Sequence, residues 1–264
     1  MFLFDEINEL RKTIIPWLFC FLILVIFFFT FGIKQIELVG RNFFLPIPSS
    51  NSISVQALKI MRNDLVPSNV QLITTSPLNA FLAQITVSLF LALIASFPFF
   101  LYKIMRYLFP ALYEYEKKNL FKVLIPSTLL FITGSIFSYF LLIPSTFNIL
   151  YSYAQRMEVE EFFTINSFVS LTLGLMVVSG VIFLLPIFMI LLSRLGLVES
   201  NFWKKNWRIA ILSLLIFSAI ITPDGTGITM IFLTIPLVFL YFLGYIFGIT
   251  RINKGREKKI NQVK

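Results

Sequence analysis

The chain has no histidine, one cysteine and few charges, only 13% of its 264 residues being Asp, Glu, Lys or Arg. Without histidine there is no His-containing catalytic triad or dyad, no imidazole proton relay and no histidine metal ligand. Cys20, alone within an apolar run, forms no disulfide inside the chain and is expected to be a small buried apolar side chain. Neither Gly-x-x-x-x-Gly-Lys nor Gly-x-Gly-x-x-Gly occurs, so nothing points to nucleotide hydrolysis. No enzyme activity, cofactor or metal is expected, and energy for any work must come from elsewhere.

The shortage of charge is matched by 58% hydrophobic residues and a mean hydropathy of +0.87. Such a chain has the bilayer as its solvent. A spanning helix needs about 20 mostly apolar residues, and the runs 13–33, 78–102, 123–143, 168–192 and 228–249 meet that length. A further run, 209–221, would make about 20 Å of helix against a hydrocarbon core of about 30 Å. It is read as a short fifth helix. Trp203 and Trp207 with Lys204, Lys205 and Arg208 anchor one end at the interface, and Thr222-Pro223-Asp224-Gly225 reverses the chain at the other. The expected fold is all-α, a polytopic bundle of six transmembrane helices. Residues 1–250 would form one membrane domain with short fifth and sixth helices, followed by a basic tail, 251–264.

Orientation follows from the basic residues. Segments 1–12, 103–122, 193–208 and 250–264 carry 17 of the 22 Lys and Arg, against 5 in segments 34–77, 144–167 and 222–227. The excess marks the cytoplasmic side and puts both termini there. The formal charge of +9 is then a topology signal, and nucleic acid is not an expected partner. Phe4-Asp5-Glu6 precedes the first span and no small-residue cleavage site follows it, so a removable signal peptide is not expected.

The apolar centres contain no Asp, Glu, Lys or Arg, whereas ion-coupled carriers place such groups at mid-membrane. Pro98, Pro126, Pro186 and Pro236 each remove a helix hydrogen bond and are expected to bend their helices, giving the bundle a concave face. In the one long outer segment, 34–77, Val55, Leu58, Met61 and Leu65 recur at near-helical spacing, which predicts a short amphipathic helix. Ser76-Pro77 reads as the N-cap and first residue of the second span.

The most specific residues lie on the basic side. Before the first span stands Glu6-Ile7-Asn8-Glu9-Leu10-Arg11-Lys12. After the second stand Tyr102, Lys103 and Met105, then Tyr107-Leu108-Phe109-Pro110-Ala111-Leu112-Tyr113-Glu114-Tyr115-Glu116-Lys117-Lys118. Both stretches resemble signature regions of the TatC family, the multispanning subunit of the twin-arginine protein translocase. Glu9-Leu10-Arg11 resembles the end of the family's His-Leu-x-Glu-Leu-Arg pattern, and Pro110-Ala111-Leu112-Tyr113 with Glu116-Lys117-Lys118 resembles its first cytoplasmic loop. Thr75-Ser76-Pro77-Leu78, Thr222-Pro223-Asp224 and the six-span layout extend the resemblance over essentially the whole chain. The chain departs at Glu6, Lys103 and Met105, where the family carries His, Gln and Trp, and at Leu184, where many relatives carry a fourth-span glutamate.

The resemblance implies a receptor for folded cargo proteins whose signal peptides contain two adjacent arginines, exported at the expense of the proton gradient. A guanidinium pairs with a carboxylate through charge-assisted, often bidentate hydrogen bonds that Lys reproduces poorly. Glu9 and Glu116 are carried over as acceptors, Glu6 and Glu114 as neighbouring acids, and Tyr107 as an aromatic able to stack on an arginine. Arg11, Pro110 and Asp224 are structural or partner-contact candidates. The ordinary reading pairs Glu9 with Arg11 or Lys12, and Glu116 with Lys117 or Lys118, as solvated surface charges worth at most about 1 kcal/mol. Implied partners are single-span TatA-type subunits, TatB-type subunits where present, further copies of the chain and membrane lipids. The expected location is the cell (cytoplasmic) membrane rather than an organelle's inner membrane. A small-solute or lipid transporter would instead predict internal repeats, which are not seen. An intramembrane protease would need a nucleophile with a base inside the spans, and none is found.

Overall fold

Helix α1 (Phe2–Thr30) takes in the whole acidic and basic segment that precedes the first apolar run. The helix therefore begins eleven residues ahead of the apolar run at Thr13 and carries Glu6 and Glu9 on its own backbone. The structure, a computed structural model, describes residues 2–38, 41–66, 71–108, 121–157, 162–194, 197–222 and 227–249. Among these, five helices are long and apolar enough to cross a membrane: Arg11–Thr30, Pro77–Arg106, Val123–Tyr153, Ile165–Ser193 and Ile228–Ile246. Trp207–Ile221 is a shorter apolar helix.

The chain divides into two compact units, residues 1–107 with 153–174, and residues 108–152 with 175–264. In the first, α1 ends at Thr30, three residues short of the apolar run, because the chain turns into strand β1 (Phe31–Leu38), paired antiparallel with β2 (Arg41–Pro48). The sequence reading did not foresee this hairpin. Its second strand holds Pro46 and Pro48, which a two-stranded edge tolerates. Gly32 is required there, since a Cβ would collide with the carbonyl of Asn51. Helix α2 (Ile53–Leu65) follows, with Met61 and Leu65 buried as its period predicts.

Strand β3 (Gln71–Ile73) leads into α3 (Pro77–Leu108) and pairs in parallel with β4 (Phe162–Thr164), which opens onto the helix that begins at Ile165. Ser76 Oγ accepts from the Leu78 amide at 3.2 Å, capping α3 as read from Ser76-Pro77. Gln84 donates to Phe29 O at 3.3 Å and Ser52 Oγ at 3.1 Å, and Gln56 donates to Ile33 O at 3.1 Å. These amides tie α1, the hairpin, α2 and α3 into one unit.

The second unit starts with α4 (Phe121–Phe137), which passes through a π-helical segment, Ser138–Leu142, into α5 (Ile143–Arg156). Residues 144–156, read from sequence as outer loop, thus prolong the third long helix. The wider turn lies immediately before Pro144, whose missing N–H and bulky ring forbid the ordinary bond to residue 140. A comparable break separates α6 (Ile165–Ile182) from α7 (Leu185–Arg194). Pro186 has no N–H to offer Ile182, and the chain restarts from Leu184, whose carbonyl accepts from Ile187 and Phe188 at 2.9 and 3.0 Å.

Small residues let these helices approach. A Cβ on Gly134 would lie 2.7 Å from Ser179 O and 2.8 Å from Phe183, and one on Gly180 would lie 2.7 Å from the buried Phe131 ring. Ser135 donates to Met176 O at 3.2 Å across the same seam. Such close contact supplies the dispersion energy that must replace the hydrophobic effect between helices in lipid. Hydroxyls facing apolar surroundings satisfy themselves on their own helix: Ser127 to Val123 O, Thr146 to Leu142 O and Ser218 to Leu214 O, at 2.6–2.8 Å. After α8 (Ser200–Lys205) come the short α9 (Trp207–Ile221) and α10 (Ile228–Leu243), the latter continued by a π-helical segment, Gly244–Ile249. Gly227, at φ +72°, supplies the left-handed turn that starts α10.

Candidate functional site

Trp17 sets the register of α1 against α3. Its indole N–H donates to Ser96 Oγ at 3.3 Å and its ring lies 4.6 Å from that of Phe100, while Phe29 meets Phe81 at 5.7 Å. Lower numbers on α1 face higher numbers on α3, so the pair is antiparallel. From Trp17 back to Glu9 is about 12 Å along a helix, and from Phe100 forward to Tyr107 about 10 Å. The backbones of Glu9 and Tyr107 therefore lie at the same end of the α1–α3 pair.

That end is the basic end of both helices, and α3 is longer than the apolar slab is thick. A 30-residue span such as Pro77–Arg106 is about 45 Å long against a hydrocarbon core of about 30 Å. The basic residues Arg11, Lys12 and Arg106 are exposed there, and Lys103 Nζ sits 5.3 Å from the Phe99 ring centre. Glu6 and Glu9 stand three residues apart on the backbone of α1.

The structure thus brings the α1 positions Glu6, Glu9 and Arg11 and the α3 position Tyr107 to one end of one unit. Pro110, Glu114, Glu116 and Asp224 lie outside the described residues. Leu184 stands at the break between α6 and α7 and lines an apolar furrow with Leu185, Phe188 and Phe217. Among the described residues no group of three or more His, Cys, Asp or Glu is disposed to hold a metal ion.

The interfacial anchor read at residues 203–208 divides its work. Trp203 is half-buried, its indole donating to Ser193 Oγ at 2.8 Å and its carbonyl accepting from the Tyr241 hydroxyl at 2.7 Å. Trp207 is 41% exposed, with the Arg208 guanidinium 5.5 Å from its ring centre. Sequence reasoning anticipated the aromatic-basic cluster but missed the furrow beside it, because nothing in a linear apolar run says which residues surround a gap.

Helix lengths, apolar faces and basic ends together define a multi-pass integral membrane protein. The family model for Sec-independent protein translocase protein (TatC) matches residues 5–236, and the chain belongs to that family. It is 33% identical over 253 residues to the Sec-independent protein translocase protein TatC of Cenarchaeum symbiosum (strain A), covering 96% of each chain. It is 30% identical over 191 residues to the chloroplastic TATC of Pisum sativum, covering 72% of this chain and 54% of that protein. Two solved structures of the twin-arginine translocase receptor TatC, one in DDM, superpose with TM-scores of 0.70 and 0.72 at 26% identity. Each covers 92% of this chain and 97% or 99% of the other.

Proposed function

We infer that the chain is the receptor subunit of a twin-arginine translocase, binding the signal peptides of folded proteins at the cytoplasmic rim and organising their passage. Glu9 and Glu116 accept the two guanidinium groups, with Glu6 and Glu114 adding negative potential and Tyr107 offering a ring face. Such pairs, partly shielded by the membrane surface, are stronger than exposed ones, and the fork of an arginine fits a carboxylate as an ammonium does not.

The observation that carries this reading is the α1–α3 register, which leaves the backbones of Glu9 and Tyr107 at one end of the same unit. Glu116 follows the end of α3 by eight residues, a short enough connection to return to that end. The chain binds and orients; it performs no covalent chemistry. TatA-type and TatB-type single-span helices and further copies of the chain complete the machine, and the proton gradient supplies the energy.

Photocrosslinking from positions 9 and 116 tests the assignment. A peptide with two adjacent arginines is expected to crosslink at both positions, and its Lys-Lys counterpart only weakly. Equal crosslinking of the two peptides, or none of either, rejects the site.

A further inference from the structure

Three hollows of the second unit meet at the short helix α8. The largest, about 670 Å³, is the open furrow between α7 and α9, with Leu184, Phe188, Ile209 and Phe217 in its walls. That volume falls within the range of about 300–1,000 Å³ usual for small-molecule sites. Its Trp203 indole and Tyr241 hydroxyl are already engaged, with Ser193 Oγ and the Trp203 carbonyl. The furrow therefore suits a hydrocarbon occupant.

One end of the furrow is basic. Lys204 lines an adjoining hollow of about 330 Å³ with Trp203, Trp207 and Tyr241, and Lys205 lines one of about 470 Å³ with Asn206 and Glu199. Lys204, Lys205 and Arg208 are all exposed, and Glu199 is the single acid among these linings. From Asn206 at the rim to Phe217 the furrow follows α9 for about 16 Å, close to half of a hydrocarbon core of about 30 Å. Length and charge together describe a ligand that is anionic at one end and oily for the depth of one leaflet.

We propose that this furrow and its Lys204–Lys205–Arg208 rim form a site for one anionic phospholipid, with the phosphate at the rim and an acyl chain along Leu184, Phe188 and Phe217. Basic residues beside clefts between spanning helices attract acidic headgroups of the cytoplasmic leaflet.

Native mass spectrometry of the full chain, released from micelles carrying equal amounts of dioleoyl phosphatidylglycerol and dioleoyl phosphatidylcholine, tests the site. One phosphatidylglycerol is expected to be retained in preference, and each of Lys204→Gln, Lys205→Gln and Arg208→Gln should cut that preference up to about fivefold. Ser213→Trp, which fills the furrow and leaves the charges intact, should abolish retention of either lipid. Equal retention of the two lipids, a preference unchanged in all three charge variants, or wild-type retention by Ser213→Trp overturns the proposal. Crosslinks from position 213 to a single-span helix in membranes, with no lipid retained, would overturn it in favour of helix docking. The charge variants keep the test decisive if Ser213→Trp does not fold.

Discussion

The hydroxyl of Tyr241 donates to the backbone carbonyl of Trp203 at 2.7 Å, 38 residues away in sequence. The bond ties α8 to α10 and fixes where the indole of Trp203 can reach, namely Ser193 Oγ at 2.8 Å. Three elements of the second unit are thereby locked around one aromatic residue.

Tyr241→Phe keeps the ring and removes the bond, which should cost about 1 kcal/mol. Thermal unfolding of the detergent-solubilised protein is expected to show a lower Tm. Combined with Ser193→Ala, the loss should be non-additive, since both bonds hold the same residue. Strict additivity in that double-mutant cycle would mean that the two bonds act independently.

Gly134→Leu and Gly180→Leu should be severely destabilising, because a Cβ at either position meets another helix at 2.7–2.8 Å. Gly174→Ala is the control, having open space around its Cβ. Yield of monodisperse protein by size-exclusion chromatography is expected to fall for the first two and stay at the wild-type level for the third.

Glu9→Ala, Glu116→Ala and the double variant should impair export of twin-arginine cargo while unfolded Sec-type cargo passes normally. Losing a charge-assisted bond of about 1.5–3 kcal/mol corresponds to roughly ten- to a hundredfold weaker signal-peptide binding. Unchanged export by the double variant would remove both residues from the site.

Trp17→Ala should lower signal-peptide crosslinking from position 9 without touching any acid. Deleting the indole takes away the Ser96 hydrogen bond and the Phe100 contact that register α1 against α3. Trp17→Phe retains the ring packing and is expected to retain most of the crosslinking. If both variants crosslink like wild type, the register is held elsewhere.

In a Cys20→Ala background, Lys59→Cys and Glu199→Cys should react with a membrane-impermeant maleimide from opposite faces of the membrane. Lys59 lies on α2 and Glu199 just ahead of α8, and both side chains are exposed. Labelling from exchanged faces would reverse the orientation inferred from the basic residues, and labelling of both from one face would overturn the three spans read between them.

Sequence alone determined the class of the molecule, because the thickness of hydrocarbon dictates how many apolar residues a helix needs and the chain meets that demand over long runs. The short α9 was legible for the same reason, as were α2, from its periodic Met61 and Leu65, and the cap at Ser76. The acidic residues of the candidate site were legible only because Glu9 and Glu116 stand inside patterns resembling a known family. Tertiary structure decided the rest. It ended α1 at Thr30 by pairing β1 with β2, a choice that depends on a partner strand and leaves no trace in an apolar run. It also placed the π segment before Pro144, brought Gly134 and Gly180 against their neighbours, and opened a furrow beside Trp203. Hydropathy records how much each residue prefers lipid to water, whereas these features depend on which side chains meet, and only packing in three dimensions sets that.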